Sequence, residues 1–315
     1  MESKPAHDAT TGPEVLRSVL GERLELNKPL APLTTFKTGG PAAYFTQATS
    51  VDDVVKAVLA ANKSSLEFFV IGGGSNLLVS DGGYPGFVIK VGVAGLAVEN
   101  RTEIVSGAGE ELMSLVSFAA EKSLTGLEFA AGIGGTVGGA VYGNAGAYGG
   151  EIEQVLSQAV LVDRRGRIKK VGRDYFRFAY RDSYLKSTSE ILIEARFQLA
   201  KGDRRRIREK IAGILKERSQ KFLGSDKCAG CFFKNIPDPS EEHGKLPAGR
   251  LLEQVGAKQM SVGDARVSER HANVIINAGR ATSKDIRQLA DNLKEKVFRR
   301  FGIKLQEEVI QIGEF

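Results

Sequence analysis

The sequence predicts a mixed helix-and-strand chain folded around an extended, phosphate-bearing ligand. Three observations predict it. The stretch Gly126–Glu151, GLEFAAGIGGTVGGAVYGNAGAYGGE, holds ten glycines in 26 residues and no Lys, Arg or Pro. An ordinary helix or central strand would lose about 0.5–1 kcal/mol at each glycine relative to alanine. A Gly/Ser linker would lack its Leu127, Phe129, Ile133, Val137, Val141 and Tyr148. What remains is close approach: backbone without Cβ atoms can lie against a large ligand and turn N–H groups toward phosphate oxygens. A tightly packed loop of positive-φ turns is the plainer alternative, but the glycine density and the interleaved Thr136 and Asn144 favour a ligand. The second observation is a similar run, IGGGSNLLVSDGG at Ile71–Gly83, directly after the apolar strand Phe68–Ile71. The third is that Leu77–Ser80 then reads as strand. Strand–turn–helix and the GxGxxG dinucleotide fingerprint are therefore absent.

Length and composition bound the function. At 315 residues there is room for two or three domains. With 42% hydrophobic and 26% charged residues the chain reads as a soluble globular protein. Its apolar runs are too short for a transmembrane helix, so no membrane partner is expected. The opening MESKPAHDATTGPE lacks the apolar core of a signal peptide. That lack, with only two cysteines, points to the cytoplasm. A net charge of +6 and a pI near 9.2 admit a nucleic-acid partner. The densest basic cluster, Arg204–Lys210, reads instead as a solvated helical face without interleaved aromatics. Positive charge also steers anionic substrates.

Taken in order, Glu14–Gly21 is a short amphipathic helix with Val15, Leu16, Val19 and Leu20 on one side. Pro29, Pro32, Pro41 and Gly39-Gly40 keep Asn27–Phe45 from being helical, and Ala43–Thr46 reads as strand. Thr49-Ser50 caps a helix over Val51–Asn62, with Asp52 and Asp53 where the dipole favours them. Phe87–Val91 and Glu103–Gly109 are strands, and Glu110–Lys122 is a helix. Gln158–Asp163, the turn Arg164-Arg165-Gly166 and Ile168–Val171 form a hairpin. Glu190–Leu199 is a strand, Arg204–Phe222 a strong helix, and Cys228–Asn235 a short strand or turn. A polar loop over Asp238–Pro247 precedes a helix at Ala248–Gly256. Short strands at Gln259–Val262, Ala265–Val267 and Asn273–Asn277 follow. Thr282 or Ser283 caps a last helix, Lys284–Gly302, and Leu305–Ile312 closes the chain as a strand.

Three places carry candidate chemistry. Arg181, in Tyr180-Arg181-Asp182, either forms a surface ion pair or neutralises an anion. Cys228-Ala229-Gly230-Cys231 is a CxxC, yet zinc needs two more soft ligands. The chain has no third Cys, and His7, His243 and His271 are scattered. A thioredoxin-type pair should open a helix, whereas Phe232-Phe233-Lys234 reads as strand. One working thiol is the simpler reading, and no metal is expected. Alternation puts Leu305, Glu307 and Val309 on one face and Gln306, Glu308 and Ile310 on the other. Either one carboxylate points inward or the pair marks an exposed edge. Residues alone lead to a soluble enzyme with a large phosphate-bearing cofactor.

Seven segments in this order resemble the UDP-N-acetylenolpyruvoylglucosamine reductases of bacterial peptidoglycan synthesis. They are TTFKTGGPA from Thr34, IGGGSNLLVSDGG from Ile71, GIGGTVGGAVYGNAGAYGGE from Gly132, FAYRDSYLK from Phe178, AGCFFKN from Ala229, VSERHANVIIN from Val267 and LQEEVIQIGEF from Leu305. The resemblance covers Thr34 to Phe315. It implies an α+β, vanillyl-alcohol-oxidase (PCMH) type FAD-binding fold of two subdomains with a C-terminal α+β substrate domain. Residues 1–25 would be a lead-in and short helix. The FAD-binding domain would span 26–201, divided into 26–91 and 92–201, the substrate domain 202–303 and a closing strand 304–315. The short span from Arg181 to Cys231 is similar to the form lacking an extra substrate-covering loop.

The resemblance also implies the chemistry. NADPH would reduce FAD, and hydride would pass to the enolpyruvyl double bond of UDP-N-acetylglucosamine enolpyruvate, giving UDP-N-acetylmuramate. FAD would be held by Gly72, Gly73, Gly74, Ser75 and Asn76 with Gly132, Gly135, Thr136, Gly138, Gly139, Asn144, Ala145 and Gly146. Cys231 would give the proton, while Arg181 and Glu308 stabilise the enolate. Asn76, Arg218, Lys221, Asn235 and His271 would contact the substrate, and the enzyme would act as a monomer. Where the best-known relatives carry Ser, this chain has Cys231, a better acid with an ordinary pKa near 8.5. A thiol is also oxidisable, so oxidation of Cys231, with Cys228 nearby, is expected to stop turnover. Gly134 replaces a usual Pro and Gly143 a bulkier residue. Another flavin oxidase of this fold would not need the Arg181, Cys231 and Glu308 set. An inactive flavin-binding module would not need to retain it.

Overall fold

The computed structural model describes residues 12–221, 224, 226–241 and 244–315. Residues 1–11 of the expected lead-in, with His7, fall outside these, as do Phe222 and His243. Helix α1 (Gly12–Leu20) buries Val15, Leu16 and Leu20. Strand β1 (Glu25–Pro29) lies antiparallel on β2 (Pro41–Ala48). Helix α2 (Val51–Lys63) starts where Ser50 Oγ accepts from the Asp53 N–H at 3.2 Å, satisfying a donor the helix itself cannot. Then come β3 (Phe68–Ile71), β4 (Leu77–Val79) and β5 (Tyr84–Val91). The first sheet has the order β1-β2-β5-β3, with β2, β5 and β3 parallel.

The second layer comprises β6 (Leu96–Glu99), β7 (Glu103–Gly107), α3 (Leu112–Glu121), α4 (Val137–Tyr142), β8 (Leu156–Val162), β9 (Ile168–Gly172) and β10 (Ile191–Gln198). Its antiparallel sheet runs β9-β8-β10-β7-β6 and includes the expected β8–β9 hairpin. Helix α5 (Arg204–Lys221) follows, and its Ile207, Ile211 and Ile214, spaced for one helical face, join the core of these two layers. One expectation is corrected here. The glycine-rich stretch does contain a helix, α4, with Gly138 and Gly139 inside it. Thr136 Oγ1 caps it by accepting from the Gly139 N–H at 3.3 Å, and the Gly138 N–H donates to the Ala108 carbonyl at 2.8 Å. A Cβ on Gly138 would sit 3.0 Å from that oxygen. Close packing therefore offsets the intrinsic penalty of glycine in the helix.

The remainder forms a unit around a second core that also takes in Phe36 and Leu78 from the N-terminal part. It contains α6 (Ala248–Gln254), the small sheet β11 (Ser261–Val262), β12 (Ala265–Val267) and β13 (Ile275–Asn277), and α7 (Ser283–Phe301). Helix α7 opens with a capping box between Thr282 and Asp285. The Asp81 carboxylate, from the first glycine run, also accepts from the N–H groups of Ser283 (2.8 Å) and Lys284 (3.0 Å). That bond ties the glycine run to the positive end of α7. Asp81→Ala is expected to lower stability by about 0.5–2 kcal/mol, readable by denaturant unfolding. Finally β14 (Ile310–Ile312) pairs parallel with β4. The regular strand is shorter than the expected Leu305–Ile312 because this segment changes partners. Leu305 and Val309 pack in the third unit, Ile312 packs with the first sheet, and Glu307 makes a single bridge to Phe233. Glu308 is thereby placed at the junction of the two halves.

Candidate active site

The two glycine runs interlock. A Cβ on Gly72 would lie 2.3 Å from Thr136 Oγ1, and one on Gly73 2.8 Å from Gly135 Cα. Ser75 Oγ donates to the Gly134 carbonyl at 3.0 Å. Gly74 (φ +62) turns against the Leu33 carbonyl, where a Cβ would come within 2.0 Å. Only glycine fits such a position. Beside this turn the Thr35 hydroxyl is buried without a protein partner among the described residues. Asn144 is fully buried; its Nδ2 donates to the Ala179 carbonyl at 3.1 Å and its Oδ1 accepts from the Glu153 N–H at 3.0 Å. Its amide therefore fastens the turn that carries Arg181.

At the mouth of this cradle, Arg181 Nε meets Glu308 Oε1 at 3.0 Å and Arg181 Nη2 donates to the Gly146 carbonyl at 2.6 Å. The Asn76 Nδ2 donates to the Glu308 carbonyl at 3.0 Å, and the Glu308 N–H to the Phe232 carbonyl at 2.8 Å. Cys231 is the residue before Phe232 and bridges Val274 on its other side. Buried Asn273 clamps Phe233 through both amide atoms, at 2.8 and 2.9 Å. Cys231, Glu308 and Arg181 thus converge on rigid backbone next to the second glycine run. Both cysteines are free thiols. Burial pushes the Cys231 thiol up to about 11; Glu308 adds to this, while Arg181 and Arg218 oppose it. Burial also raises the Glu308 carboxyl, against the pull of Arg181, Lys234 and Lys186.

Residues 221–312 match the family model described as UDP-N-acetylenolpyruvoylglucosamine reductase, C-terminal domain, and residues 42–172 match one described as FAD binding domain. The UDP-N-acetylenolpyruvoylglucosamine reductase of Desulforamulus reducens is 41% identical over 301 residues, covering 95% of this chain and 97% of that one. The chain belongs to the UDP-N-acetylenolpyruvoylglucosamine reductases. The reductase of Lachnoclostridium phytofermentans is 38% identical over 306 residues, 96% of each chain. A solved reductase of this family from Thermus caldophilus superposes with a TM-score of 0.77 at 31% identity, covering 92% of this chain and 98% of that one. The fold is therefore the α+β FAD-binding type with a reductase C-terminal domain, and FAD is the cofactor of this oxidoreductase of peptidoglycan synthesis.

The cradle fits FAD. At Gly134, Gly139 and Gly143 an added Cβ would meet no atom closer than 3.5 Å, so bare backbone borders open space beside the interlocked turns. Such surfaces suit a pyrophosphate. Gly139→Ala should raise helix propensity yet weaken FAD binding, because its methyl enters that space. The visible flavin absorbance of the purified variant, set beside its melting temperature, checks the opposed signs. Among the other reductase candidates, Arg218 packs at Gly132 and lies within electrostatic reach of Cys231, Arg181 and Tyr148. Asn235 Oδ1 accepts from the Ala248 N–H at 3.1 Å, and its own N–H reaches Tyr180 Oη at 3.4 Å. His271 Nδ1 accepts from the Asn273 N–H at 3.2 Å, and burial, then Lys221, lower its pKa. Sequence reasoning missed three lysines here. Lys245 Nζ stands 3.8 Å from the centre of the Tyr180 ring, and Lys186 and Lys234 act on Glu308. Lys186 and Lys234 lie inside the family-like segments; nothing in the sequence marks Lys245. No helix among the described residues is long and apolar enough to cross a membrane.

Proposed function

We propose that the protein uses NADPH to reduce the enolpyruvyl double bond of UDP-N-acetylglucosamine enolpyruvate to UDP-N-acetylmuramate, as a cytoplasmic monomer. Cys231 acts as proton donor, and Arg181 and Glu308 stabilise the enolate. The observation that carries this reading is the convergence of a proton-bearing thiol and an Arg–Glu pair at the mouth of the flavin cradle. FAD, once bound and reduced by NADPH, would supply the hydride. One alkene carbon takes that hydride and the adjacent carbon takes the proton from Cys231 Sγ. The Arg181 guanidinium faces the carboxylate on which negative charge grows, the place where preorganised charge lowers a barrier most. The thiolate left behind is stabilised by Arg181 and Arg218, the groups that already oppose its raised pKa. Arg218, Lys221 and Asn235 meet the sugar diphosphate, His271 contacts the substrate, and Asn76 holds Glu308 in place.

A thiol pushed up to about 11 stays protonated through neutral pH. Proton donation is therefore competent below that value and lost only as pH rises through it. The single-turnover rate is expected to show no alkaline decline near pH 8.5; a decline there would mean an unperturbed thiol. The functional reading is tested by incubating holoenzyme with NADPH and the enolpyruvyl sugar nucleotide. Product heavier by two hydrogens, formed one for one with NADPH consumed, supports it. NADPH consumption with the sugar nucleotide unchanged overturns it.

A further inference from the structure

Arg181 has φ +54, a left-handed conformation that side chains with a Cβ rarely adopt. It sits in a two-residue turn in which Ala179 and Asp182 exchange N–H to carbonyl bonds at 3.0 and 3.1 Å. Asn144 holds one end of that turn through Ala179. At the other end buried Ser183 donates to the Tyr142 carbonyl at 2.7 Å. The peptide between them is fastened by Lys186. A tight helical turn at Tyr184–Ser187 brings its Nζ onto the Arg181 carbonyl, with Asp182 Oδ1 at 3.5 Å and the Tyr142 ring centre at 5.8 Å. We propose that Lys186 is a positioning residue for the reduction: by binding the Arg181 carbonyl it fixes the left-handed turn that presents the Arg181 guanidinium to Glu308 and to the substrate carboxylate. Burial holds the Lys186 pKa below the usual lysine range; Asp182 opposes this and Lys234 adds to it. A half-buried ammonium of this kind is retained against its desolvation cost. Lys186 acts on the Arg181–Glu308 pair, mainly through the Arg181 turn, so its influence is confined to the step in which the enolate forms. The inference rests on the functional reading above.

The test is a single-turnover cycle on holoenzyme reduced by NADPH and then mixed with UDP-N-acetylglucosamine enolpyruvate. Lys186→Met is expected to slow flavin reoxidation about 10- to 100-fold, the scale of a small misplacement of a catalytic group. Reduction by NADPH should change by less than about twofold. Lys186→Gln, which keeps an N–H donor without the charge, should recover part of the loss, and it replaces Lys186→Met in every comparison if that variant does not fold. In an Arg181→Ala background the Lys186 substitution should have less than about a twofold further effect, because the group it positions is gone. An equal slowing in both backgrounds, or none in the wild-type background, overturns the proposal alone. Wild-type enzyme whose reduced flavin is not reoxidised by the sugar nucleotide overturns the functional reading and this proposal with it.

Discussion

Cys231→Ala is expected to keep FAD and its reduction by NADPH, but to slow reoxidation by the enolpyruvyl sugar nucleotide about 10²- to 10⁴-fold. The backbone around Cys231 is fixed independently of the thiol. The Phe232 N–H donates to the Asn273 carbonyl at 2.8 Å, and the Phe232 carbonyl accepts from Glu308. Removing Sγ therefore deletes a proton without moving the Arg181–Glu308 pair. Cys231→Ser should restore part of the rate, since a hydroxyl occupies the same place but is a weaker acid. Its rate should also lack the alkaline limb set by the thiol. Equal rates for Ala and Cys would show that the proton comes from solvent or from another side chain.

Arg181→Lys and Glu308→Gln should each slow the same step about 10²- to 10³-fold. The guanidinium makes two directed contacts at once, to Glu308 at 3.0 Å and to the Gly146 carbonyl at 2.6 Å. A lysine is a single point charge and cannot reproduce that fork. Glu308→Gln removes the counter-charge that steadies Arg181 and that raises the Cys231 pKa. Stopped-flow reoxidation separates this loss from binding: the limiting rate should fall while flavin content stays constant.

Much of this organisation was legible in the sequence. Local hydrogen-bond chemistry put the caps at Thr49-Ser50 and at Thr282 or Ser283, and the structure uses Ser50 and Thr282. The glycine runs announced close backbone approach before their partner was known, and the partner proved partly to be each other. Strand β6 was not legible because its side chains are half-buried or exposed and show no apolar alternation. Alternation along Leu305–Ile310 put Glu307 and Glu308 on opposite faces. The structure gives Glu307 to Lys294 at 2.6 Å and Glu308 to Arg181. Which carboxylate met the arginine was beyond local pattern, because the segment passes between two cores. The roles of the lysines at 186, 234 and 245 were not legible for a similar reason: only the tertiary fold gathers them around Tyr180 and Glu308.

A flavin cradle joined to a thiol that protonates the substrate has a direct spectroscopic signature, read anaerobically. NADPH is added to the holoenzyme first, then UDP-N-acetylglucosamine enolpyruvate, with wild type and Cys231→Ala run side by side. Thiol-dependent turnover predicts bleaching of the flavin band in both proteins and prompt recovery only in wild type. Bleaching of wild-type enzyme with no recovery would contradict it, as would recovery at the same rate without the Cys231 thiol.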